Sequence, residues 1–513
     1  MITAMYTMRL TQFKPLLLFL VLYAILAPDI FNIINNVIEY KNVSSQTAIQ
    51  ELLVLQTGFY YNTSVFYSKN TAVILFFADQ HQNATEWTCR SSNFGETLNS
   101  KALVRHTSNF ALYCPWTTYF LTCPTVLKPL VFRLTVLNAI KTITIPLELP
   151  ERQPRGIVSC FASMFYEQRW QTIIFIHELY AAWGIDLQVH YVQSVVGDIL
   201  KLLDPFVERG LLEIRPFDIA DYGLELTHKL GYMPAQATAA RHQVMSHQDC
   251  FFRYRESAEF IMIADVDDLF LPMHGKTLYD EFTYWKNLNP IASAFLYDRK
   301  ESFIQTSGKL DGFSFKSTLE SIEITEKEIA GKSIYNPRFT ETPWMHWPGI
   351  NNTPVFNVPS NESNCLHLHY AYDEPNNIIN KTVKIENVID ITSLFNETII
   401  DLNAAKVNLK DLPDRSLDYS YLVGKCKGRL FAMYEYPHML TINFPCTTAT
   451  SCYYEPRNVN CSVAFRSYES DCILSNRLCA IIPLKVLPDI VARSNGCAWG
   501  NFDNYNTTLN LNI

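Results

Sequence analysis

The hydrophobic positions in the middle of the chain change period repeatedly, and the changes predict alternating strands and helices. Short apolar runs of strand length occupy residues 156–162, 185–191, 211–215 and 260–264. Segments with helical spacing lie between these runs, at residues 170–184, 195–210 and 236–257. Strands that alternate with helices are typical of a parallel sheet covered on both faces. We therefore predict an α/β domain here, with residues 260–264 as about its fourth strand.

The segments on either side of this domain have different patterns. Short β-branched and aromatic runs separated by polar turns predict a β-rich accessory or stem domain. Cysteines crowd the end of the chain, which predicts a disulfide-linked extension. The predicted organisation is a cytosolic tail (1–14), a transmembrane segment (15–34), the β-rich domain (45–149), the α/β domain (150–430) and the Cys-rich extension (431–513).

The N-terminal segment predicts how the protein is sorted. Residues 16–27 are unbroken apolar sequence with Arg9 and Lys14 before them. Pro28 disfavours signal-peptide cleavage after Ala27, so an uncleaved signal-anchor is favoured over a cleaved signal. The positive flank places the tail in the cytosol and the rest in the lumen. The expectation is a single-pass type II membrane protein facing the lumen of the Golgi or endoplasmic reticulum.

Composition and charge narrow the possible compartments and partners. The net charge is −8, and the sequence has no basic stripe, so we expect no nucleic-acid partner. Thirteen cysteines and nine N-x-S/T sequons favour an oxidising secretory lumen over the cytosol. An odd number of cysteines leaves one that is unpaired or pairs between chains.

Three carboxylates follow the apolar run of residues 260–264 and form the first candidate site. Asp265, Asp267 and Asp268 come at the carboxyl end of the predicted strand, where open α/β sheets bind their ligands. In an extended backbone Asp265 and Asp267 point to one side and Asp268 to the other. Two carboxylates on one side repel each other, and a hard divalent cation relieves that repulsion.

Three interpretations compete for this acidic stretch. The first is a metal–diphosphate site of a sugar-nucleotide transferase, in which a cation bridges the donor diphosphate. The second is an aspartyl nucleophile like that of D-x-D-x-T phosphatases. Leu269 at the threonine position and the late place of the motif both disfavour it. The third is a solvated acidic turn.

Histidines and arginines supply further candidates. His367 and His369 alternate along a predicted strand, so both face one side, where an imidazole would complete a metal sphere. A core or surface histidine is the alternative for each. Arg241 and Arg253 are candidates to bind a diphosphate, with ordinary surface charge as the alternative.

Several motifs in order resemble those of glycosyltransferase family 92. The resemblance covers residues of roughly 150–430 and rests on Ser159-Cys160 followed by Glu167, the segments 241–255 and 261–272, Lys332-Ser-Ile-Tyr335 and Leu366-His-Leu-His-Tyr370. It implies a GT-A fold (a Rossmann-like nucleotide-sugar transferase), a metal-dependent reaction with Mn²⁺ or Mg²⁺, UDP-galactose as the typical donor and a type II anchor.

Residue by residue, the resemblance makes Asp265 and Asp267 the D-x-D pair that binds metal and donor. His369 becomes the histidine of the closing His-Tyr motif and a metal ligand, with Asp268 as a possible additional ligand. The chain departs from the family at Asp268, where Glu is common, and at Ala371, where Arg is common. The first departure shortens a carboxylate, and the second removes a basic residue near the phosphates.

The resulting hypothesis is a transferase that moves a hexose such as galactose from a nucleotide sugar to a glycan acceptor. The family implies inversion, in which a base deprotonates the acceptor hydroxyl. Asp298 and Glu301 are candidates for that base by position alone. The alternative is a catalytically inactive luminal or cell-surface glycan-binding protein that retains the fold.

The anchor is directly testable by expressing the full chain in a secretory cell and analysing the N-terminus of the product. We expect a membrane-bound protein that retains its N-terminal segment, because Pro28 blocks cleavage. A secreted protein that begins at Pro28 would contradict the prediction.

Overall fold

A computed structural model describes the protein over most of its length after residue 50. The described residues are 51–79, 87–108, 114, 116–136, 139–218, 222, 238, 243–350, 353–371, 382–391, 398–413, 422–426, 457–473, 478–485 and 487–497. The predicted tail and anchor, residues 1–14 and 15–34, lie outside them. Within these ranges no helix is long and apolar enough to cross a membrane.

The described elements follow one another in three groups. The first is β1 (Glu51–Tyr61), β2 (Thr71–Asp79), β3 (Trp87–Ser92), β4 (Thr97–Lys101), β5 (Leu103–His106), β6 (Trp116–Pro124), β7 (Val131–Val136) and β8 (Ile143–Thr144). The second is β9 (Arg155–Phe161), α1 (Trp170–Ala182), β10 (Leu187–Val192), β11 (Ser194–Val196), α2 (Ile199–Leu202), α3 (Asp204–Glu208), β12 (Leu212–Pro216), α4 (Gln243–Tyr254), β13 (Ala258–Ala264), β14 (Asp268–Phe270), α5 (Leu278–Leu288), β15 (Ala294–Gln305), α6 (Phe315–Glu320), β16 (Glu323–Tyr335), β17 (Val355–Asn357), β18 (Cys365–Ala371), β19 (Thr382–Lys384) and α7 (Leu402–Asn408). The third is β20 (Cys461–Phe465), β21 (Tyr468–Ile473), β22 (Leu478–Pro483) and β23 (Asp489–Arg493).

The central sheet confirms the predicted α/β class and adds antiparallel strands to the predicted parallel ones. Its order is β12-β10-β9-β13-β16-β15-β18-β14. The strands β12, β10, β9 and β13 are parallel, and β13 is the fourth of them along the chain, as predicted. Beyond β13 the sheet is mixed, because β16 runs antiparallel to both β13 and β15.

The order of the four parallel strands reverses between β9 and β13. From β9 the chain adds β10 and β12 on one side, and then β13 on the other. A crevice opens at such a switch point, beyond the carboxyl ends of the two strands, and open α/β sheets bind ligands there. The acidic stretch that follows β13 therefore lies at the ligand-binding edge of the sheet.

The helix α1 and its end agree with the prediction, but the single helix predicted at residues 195–210 is only partly confirmed. Gly184 has a φ of +81°, which suits a glycine after a helix. Val195 and Val196 instead lie in β11, which pairs with β20 from the end of the chain. Gly197, at a φ of +59°, then turns the chain into two short helices, α2 and α3.

Strands from the two ends of the described chain pair in one sheet, although the prediction placed them in different domains. One sheet has the order β21-β22-β1-β2-β6-β5, so two strands of the Cys-rich extension lie beside the β-rich region. Ile473, Leu478, Ala480 and Ile482 of these strands are buried in the same hydrophobic core as β2 and β6. The boundaries themselves remain predictions.

Disulfides connect several of these strands, as the cysteine pattern predicted. The described pairs are Cys89–Cys123, Cys160–Cys250, Cys461–Cys497 and Cys472–Cys479. The second pair joins β9 to α4 inside the α/β region. Cys365 of β18 is a buried free thiol.

Arg255, just after α4, anchors the β-rich region to the α/β region. Its side chain is 1% exposed and donates to the backbone oxygen of Glu341. Four aromatic rings surround the guanidinium at 4.6 to 5.1 Å, those of Phe66, Tyr67, Phe251 and Phe252. The first two belong to the β-rich region and the last two to α4. The buried cation thus holds the two regions together through its contacts with aromatic faces.

Arg255→Lys is expected to lower the free energy of unfolding by about 1–3 kcal/mol, because an ammonium cannot stack on the rings as a planar guanidinium does. Chemical denaturation of the two proteins measures the loss. Arg152→Lys is the matched control, since Arg152 is exposed and its replacement should change stability by less than about 0.5 kcal/mol. Equal effects of the two substitutions would contradict the role of the aromatic cluster.

Candidate functional site

The three carboxylates after β13 lie on a tight turn and not on an extended strand. The backbone N–H of Asp268 donates to the carbonyl oxygen of Asp265 at 3.0 Å. The extended backbone predicted here is therefore wrong, although Asp265 and Asp267 line the pocket and Asp268 does not, as the predicted grouping had it. The turn brings the carboxylates of Asp265 and Asp268 to a shared cation, while Asp267 points to a different one.

Asp268 is fully buried, and its carboxylate accepts three hydrogen bonds and forms an ion pair with Lys332. Its Oδ1 accepts from Arg299 Nη1 at 2.9 Å and from His367 Nδ1 at 3.2 Å. Its Oδ2 accepts from the backbone N–H of Asp265 at 2.9 Å and lies 3.1 Å from Lys332 Nζ. Burial raises the pKa of Asp268, but the Lys332 charge and the hydrogen bond from His367 outweigh it and hold the pKa well below its ordinary value.

Asp265 shares the same ammonium but is partly exposed to the pocket. Its Oδ2 accepts from Lys332 Nζ at 2.8 Å, and its Oδ1 accepts from Gln243 Nε2 at 2.7 Å. Lys332 is itself fully buried on β16. Burial raises the pKa of Asp265, but the nearby ammonium lowers it more, so this carboxylate is ionised.

Asp267 faces the pocket and contacts a different cation. Its Oδ2 accepts from Arg169 Nη1 at 2.7 Å, and its Oδ1 lies 3.8 Å from His367 Nδ1. Arg169 also forms two hydrogen bonds to Glu167, at 2.9 and 2.8 Å. Asp267 is thus the member of the D-x-D pair that is not bound to the buried lysine.

His367 and His369 share one side of β18, as predicted, but they have different environments. Their ring centroids are 4.6 Å apart. Burial lowers the pKa of His367, yet the hydrogen bond to Asp268 outweighs it and raises the pKa. Burial and the neighbouring His367 lower the pKa of His369. His367 lies beside the carboxylates because β14 and β18 pair with Asp268 opposite His367.

A cavity of about 260 Å³ opens in front of these groups. Its described lining combines the loop after β9, the turn after β13, and residues from α4, β18 and the 422–426 segment: Ala162, Ser163, Met164, Phe165, Glu167, Arg169, Gln243, Asp265, Val266, Asp267, His367, Val423 and Gly424. The cavity therefore lies at the switch point between β9 and β13, where the sheet order predicts a ligand.

The donor set fits a divalent cation. Ligand atoms of Asp267, Asp268 and His367 lie within 4.8 Å of one another. Carboxylate oxygens with an imidazole suit Mn²⁺ or a similar ion. Because Asp268 already accepts three hydrogen bonds and pairs with Lys332, its better role is to fix His367 from behind, as carboxylates do for metal-bound histidines. The described cluster contains His367 in place of the predicted His369.

The other predicted site residues are distributed widely. Asp298 and Glu301 both lie at register shifts of β15. Glu301 is opposite His367 in register but accepts from Lys327 at 3.0 Å. Arg253 is not at the pocket, because it donates to Glu148 at 2.8 Å and packs over the Phe59 ring. Arg241 lies outside the described residues.

Four groups around the carboxylates were not selected from the sequence as site residues. Glu167 and Lys332 belong to the motifs of the family resemblance, which offered a signal, and Arg299 follows the candidate Asp298. Arg169 had no such signal. Its role depends on the loop after β9 reaching the turn after β13, which the sequence does not display.

Together the fold and the site define a mixed α/β protein with an acidic pocket at the switch point of its sheet. Residues 155–406 match the family model of glycosyltransferase family 92. Through this domain the chain belongs to that family, as its motifs predicted.

Two relatives from Caenorhabditis elegans illustrate the similarity. Glycosyltransferase family 92 protein F59C6.8 is 27% identical over 299 residues, 58% of this chain and 57% of the relative. Glycosyltransferase family 92 protein F13G3.3 is 25% identical over 302 residues, 58% of this chain and 59% of the relative. The chain thus matches less than two thirds of the length of either relative.

The match to a solved structure, S. aureus TarS 1–349 in complex with UDP, covers 42% of this chain and 60% of the TarS chain. The sequence identity is 9% and the TM-score is 0.24. A score this low supports no argument about the fold or the site.

Asp268→Asn and Asp267→Asn are expected to act on different properties. Removing the buried charge of Asp268 leaves Asp265 as the remaining carboxylate beside both Lys332 and Arg299, and should lower the free energy of unfolding by about 3 kcal/mol or more. Removing the charge of Asp267 should cost about 1 kcal/mol or less, but should weaken Mn²⁺ binding. Chemical denaturation and calorimetric Mn²⁺ titration measure the two effects. Similar stability losses would contradict this division of roles.

The stability effect of Asp268→Asn should also depend on pH. A carboxyl group with a depressed pKa in the folded state stabilises the protein above its unfolded-state pKa of about 3.9. That contribution is lost as the pH falls below this value toward the depressed pKa. We expect the full difference from wild type at pH 7 and a shrinking difference below about pH 4. A difference that stays constant down to pH 3 would exclude the charge as its cause.

Proposed function

We propose that this protein is a glycosyltransferase that moves a hexose from a nucleotide sugar to a hydroxyl group of a glycan acceptor. The observation that carries the proposal is the pocket at the switch point of the sheet, with Asp267 and His367 on its wall beside Asp265. Membership of glycosyltransferase family 92 supports the reaction class. The finer assignments below belong to the same proposal.

The charges around the pocket indicate why a divalent cation is needed. Carboxylates outnumber permanent cations by one among the groups that surround the pocket: Glu167, Asp265, Asp267 and Asp268 against Arg169, Arg299 and Lys332. A diphosphate brings two or more further negative charges and is repelled by such a site. A bound Mn²⁺ or Mg²⁺ reverses the sign and makes diphosphate binding favourable.

The residues of this chain would divide the work as follows. Asp267 and a neutral His367 hold the cation, and Asp268 fixes the His367 ring by accepting from its Nδ1 at 3.2 Å. The cation supplies charge stabilisation for the departing diphosphate. Asp265, held by Lys332 and Gln243, borders the donor side of the pocket.

Inversion requires an acceptor oxygen to attack the anomeric carbon as the bond to the diphosphate breaks, with the hydroxyl proton passing to a base. Asp298 and Glu301 remain the candidates for that base. Glu301 is the better placed of the two, because it lies opposite His367 in the pairing of β15 with β18.

The proposal extends to donor, fold and compartment through the family resemblance and the sequence. It includes a GT-A fold and UDP-galactose as donor. It also includes a type II anchor in the Golgi or endoplasmic reticulum. The disulfide between Cys160 and Cys250 inside the α/β region supports an oxidising lumen.

One observation favours an inactive glycan-binding protein instead. Lys332 and Arg169 already pair with Asp265 and Asp267 at 2.8 and 2.7 Å. A pocket whose carboxylates are neutralised in this way would be stable without a metal. The test of the proposed function must therefore measure both binding and turnover.

UDP-galactose hydrolysis by the full chain is expected to require Mn²⁺ and to stop when EDTA removes the ion. Asp267→Asn should lower the rate by about 100-fold or more, because the departing diphosphate loses its stabilising cation. The control Asp489→Asn, at an exposed acid of β23, should leave the rate unchanged.

Two outcomes would decide against the proposal. Full turnover by Asp267→Asn would contradict the metal site. Absence of turnover together with Mn²⁺-independent sugar binding would favour the inactive protein. A screen of other nucleotide sugars tests the donor separately.

A further inference from the structure

Arg169 is the permanent positive charge on the described wall of the pocket, and neither the motifs nor the family match assigns it a role. It directly precedes α1, at the edge of the sheet where β9 and β13 end. Its side chain is 24% exposed, so it is partly open to the pocket. Its position makes it a candidate for contact with a bound anion.

Glu167 fixes the guanidinium of Arg169 in one orientation. Arg169 Nε and Nη2 donate to the two carboxylate oxygens of Glu167 at 2.9 and 2.8 Å. Glu167 is 5% exposed and accepts from the backbone N–H groups of Gln168 and Arg169, at 3.1 and 2.9 Å. A two-point contact with an immobile carboxylate removes much of the rotational freedom of an arginine.

The remaining nitrogen of the guanidinium is aimed at the proposed cation ligand. Arg169 Nη1 donates to Asp267 Oδ2 at 2.7 Å. A divalent cation between Asp267 and His367 would meet Oδ1 of a carboxylate whose Oδ2 Arg169 already holds, so the two positive charges compete for one negative charge. Once the cation is bound, Arg169 Nη1 and the cation repel each other unless an anion lies between them.

We propose that Arg169 yields Asp267 to the divalent cation and then donates to the diphosphate of the nucleotide sugar. The inference rests on the proposed function and deepens it, since it assigns a diphosphate-binding residue to the same pocket. A guanidinium held by Glu167 is well suited to phosphate oxygens, which it recognises by directed hydrogen bonds. No bond is made or broken in this exchange of partners.

The exchange predicts opposite effects of Arg169 on two affinities. Without nucleotide, Arg169 competes with the cation and weakens its binding. With nucleotide, it contributes a charge-assisted hydrogen bond to the diphosphate. Cation and diphosphate therefore strengthen each other's binding by the same factor, as linkage requires. A residue that only supported the local fold would affect both affinities in one direction.

The test is calorimetric titration of the full chain with Mn²⁺ alone, and then with UDP at saturating Mn²⁺. For Arg169→Met we expect Mn²⁺ to bind about threefold to tenfold more tightly than in wild type. We expect UDP to bind roughly tenfold or more weakly, the loss typical of one charge-assisted hydrogen bond. Arg169→Lys keeps the charge but loses the contact with both oxygens of Glu167, so its UDP affinity should be intermediate. Arg152→Met, at an exposed arginine, is the matched control.

The other possible results of these titrations contradict either the role of Arg169 or the proposed function. Unchanged UDP affinity in Arg169→Met, with wild type binding UDP in a Mn²⁺-dependent way, overturns the role of Arg169 alone. A loss of both affinities with a lower melting temperature shows a purely structural arginine. Wild type without Mn²⁺-dependent UDP binding overturns the proposed function and this inference together. If Arg169→Met does not fold, UDP affinity of Arg169→Lys equal to wild type overturns the inference.

Discussion

The buried charge of Asp268 is the constraint on which the centre of the molecule depends. An ionised carboxylate removed from water costs several kcal/mol unless charges and donors surround it. Arg299 of β15, Lys332 of β16 and His367 of β18 provide that compensation, together with the backbone N–H of Asp265. Three strands distant in sequence must therefore meet at one turn. The mixed half of the sheet has to close before the acidic turn is stable.

The helix α4 extends this constraint to the β-rich region. At its start Gln243 donates to Asp265 at 2.7 Å, and just beyond its end Arg255 lies among aromatic rings of the loop between β1 and β2 and of α4 itself. Between them, Asp249 accepts from Thr57 of β1 and Tyr191 of β10. The β-rich region is therefore part of the support of the pocket. A substitution that disturbs the β-rich region would therefore also affect Asp265, because α4 contacts both.

The sequence predicted the parts of the fold that depend on local periodicity. The strands β9, β10, β12 and β13, the helix α1, and the carboxylates as a candidate site were all predicted from runs of fewer than about 20 residues. Arg299 and Lys332 were not, because the pairing of β15, β16 and β18 brings them to the turn from 31 and 67 positions away. His367, 99 positions from Asp268, was a candidate, but the sequence did not show its contact with this carboxylate. The extended backbone predicted for Asp265 to Asp268 was wrong for a local reason. One backbone hydrogen bond converted an expected strand into a turn.

The buried position of Asp268 changes how its departure from the family pattern, Asp in place of Glu, is interpreted. A shorter carboxylate in place of Glu suggested weaker reach toward metal and donor. Asp268 is not on the described wall of the pocket but beneath it, where Oδ1 accepts two hydrogen bonds and Oδ2 accepts one and pairs with Lys332. An additional methylene there would have to displace Lys332 or Arg299 from a fully buried site, at a cost of about 1–3 kcal/mol. The short side chain therefore suits a counter-charge that positions His367. Three groups line the pocket without depending on the reach of Asp268, namely Asp267, His367 and Arg169.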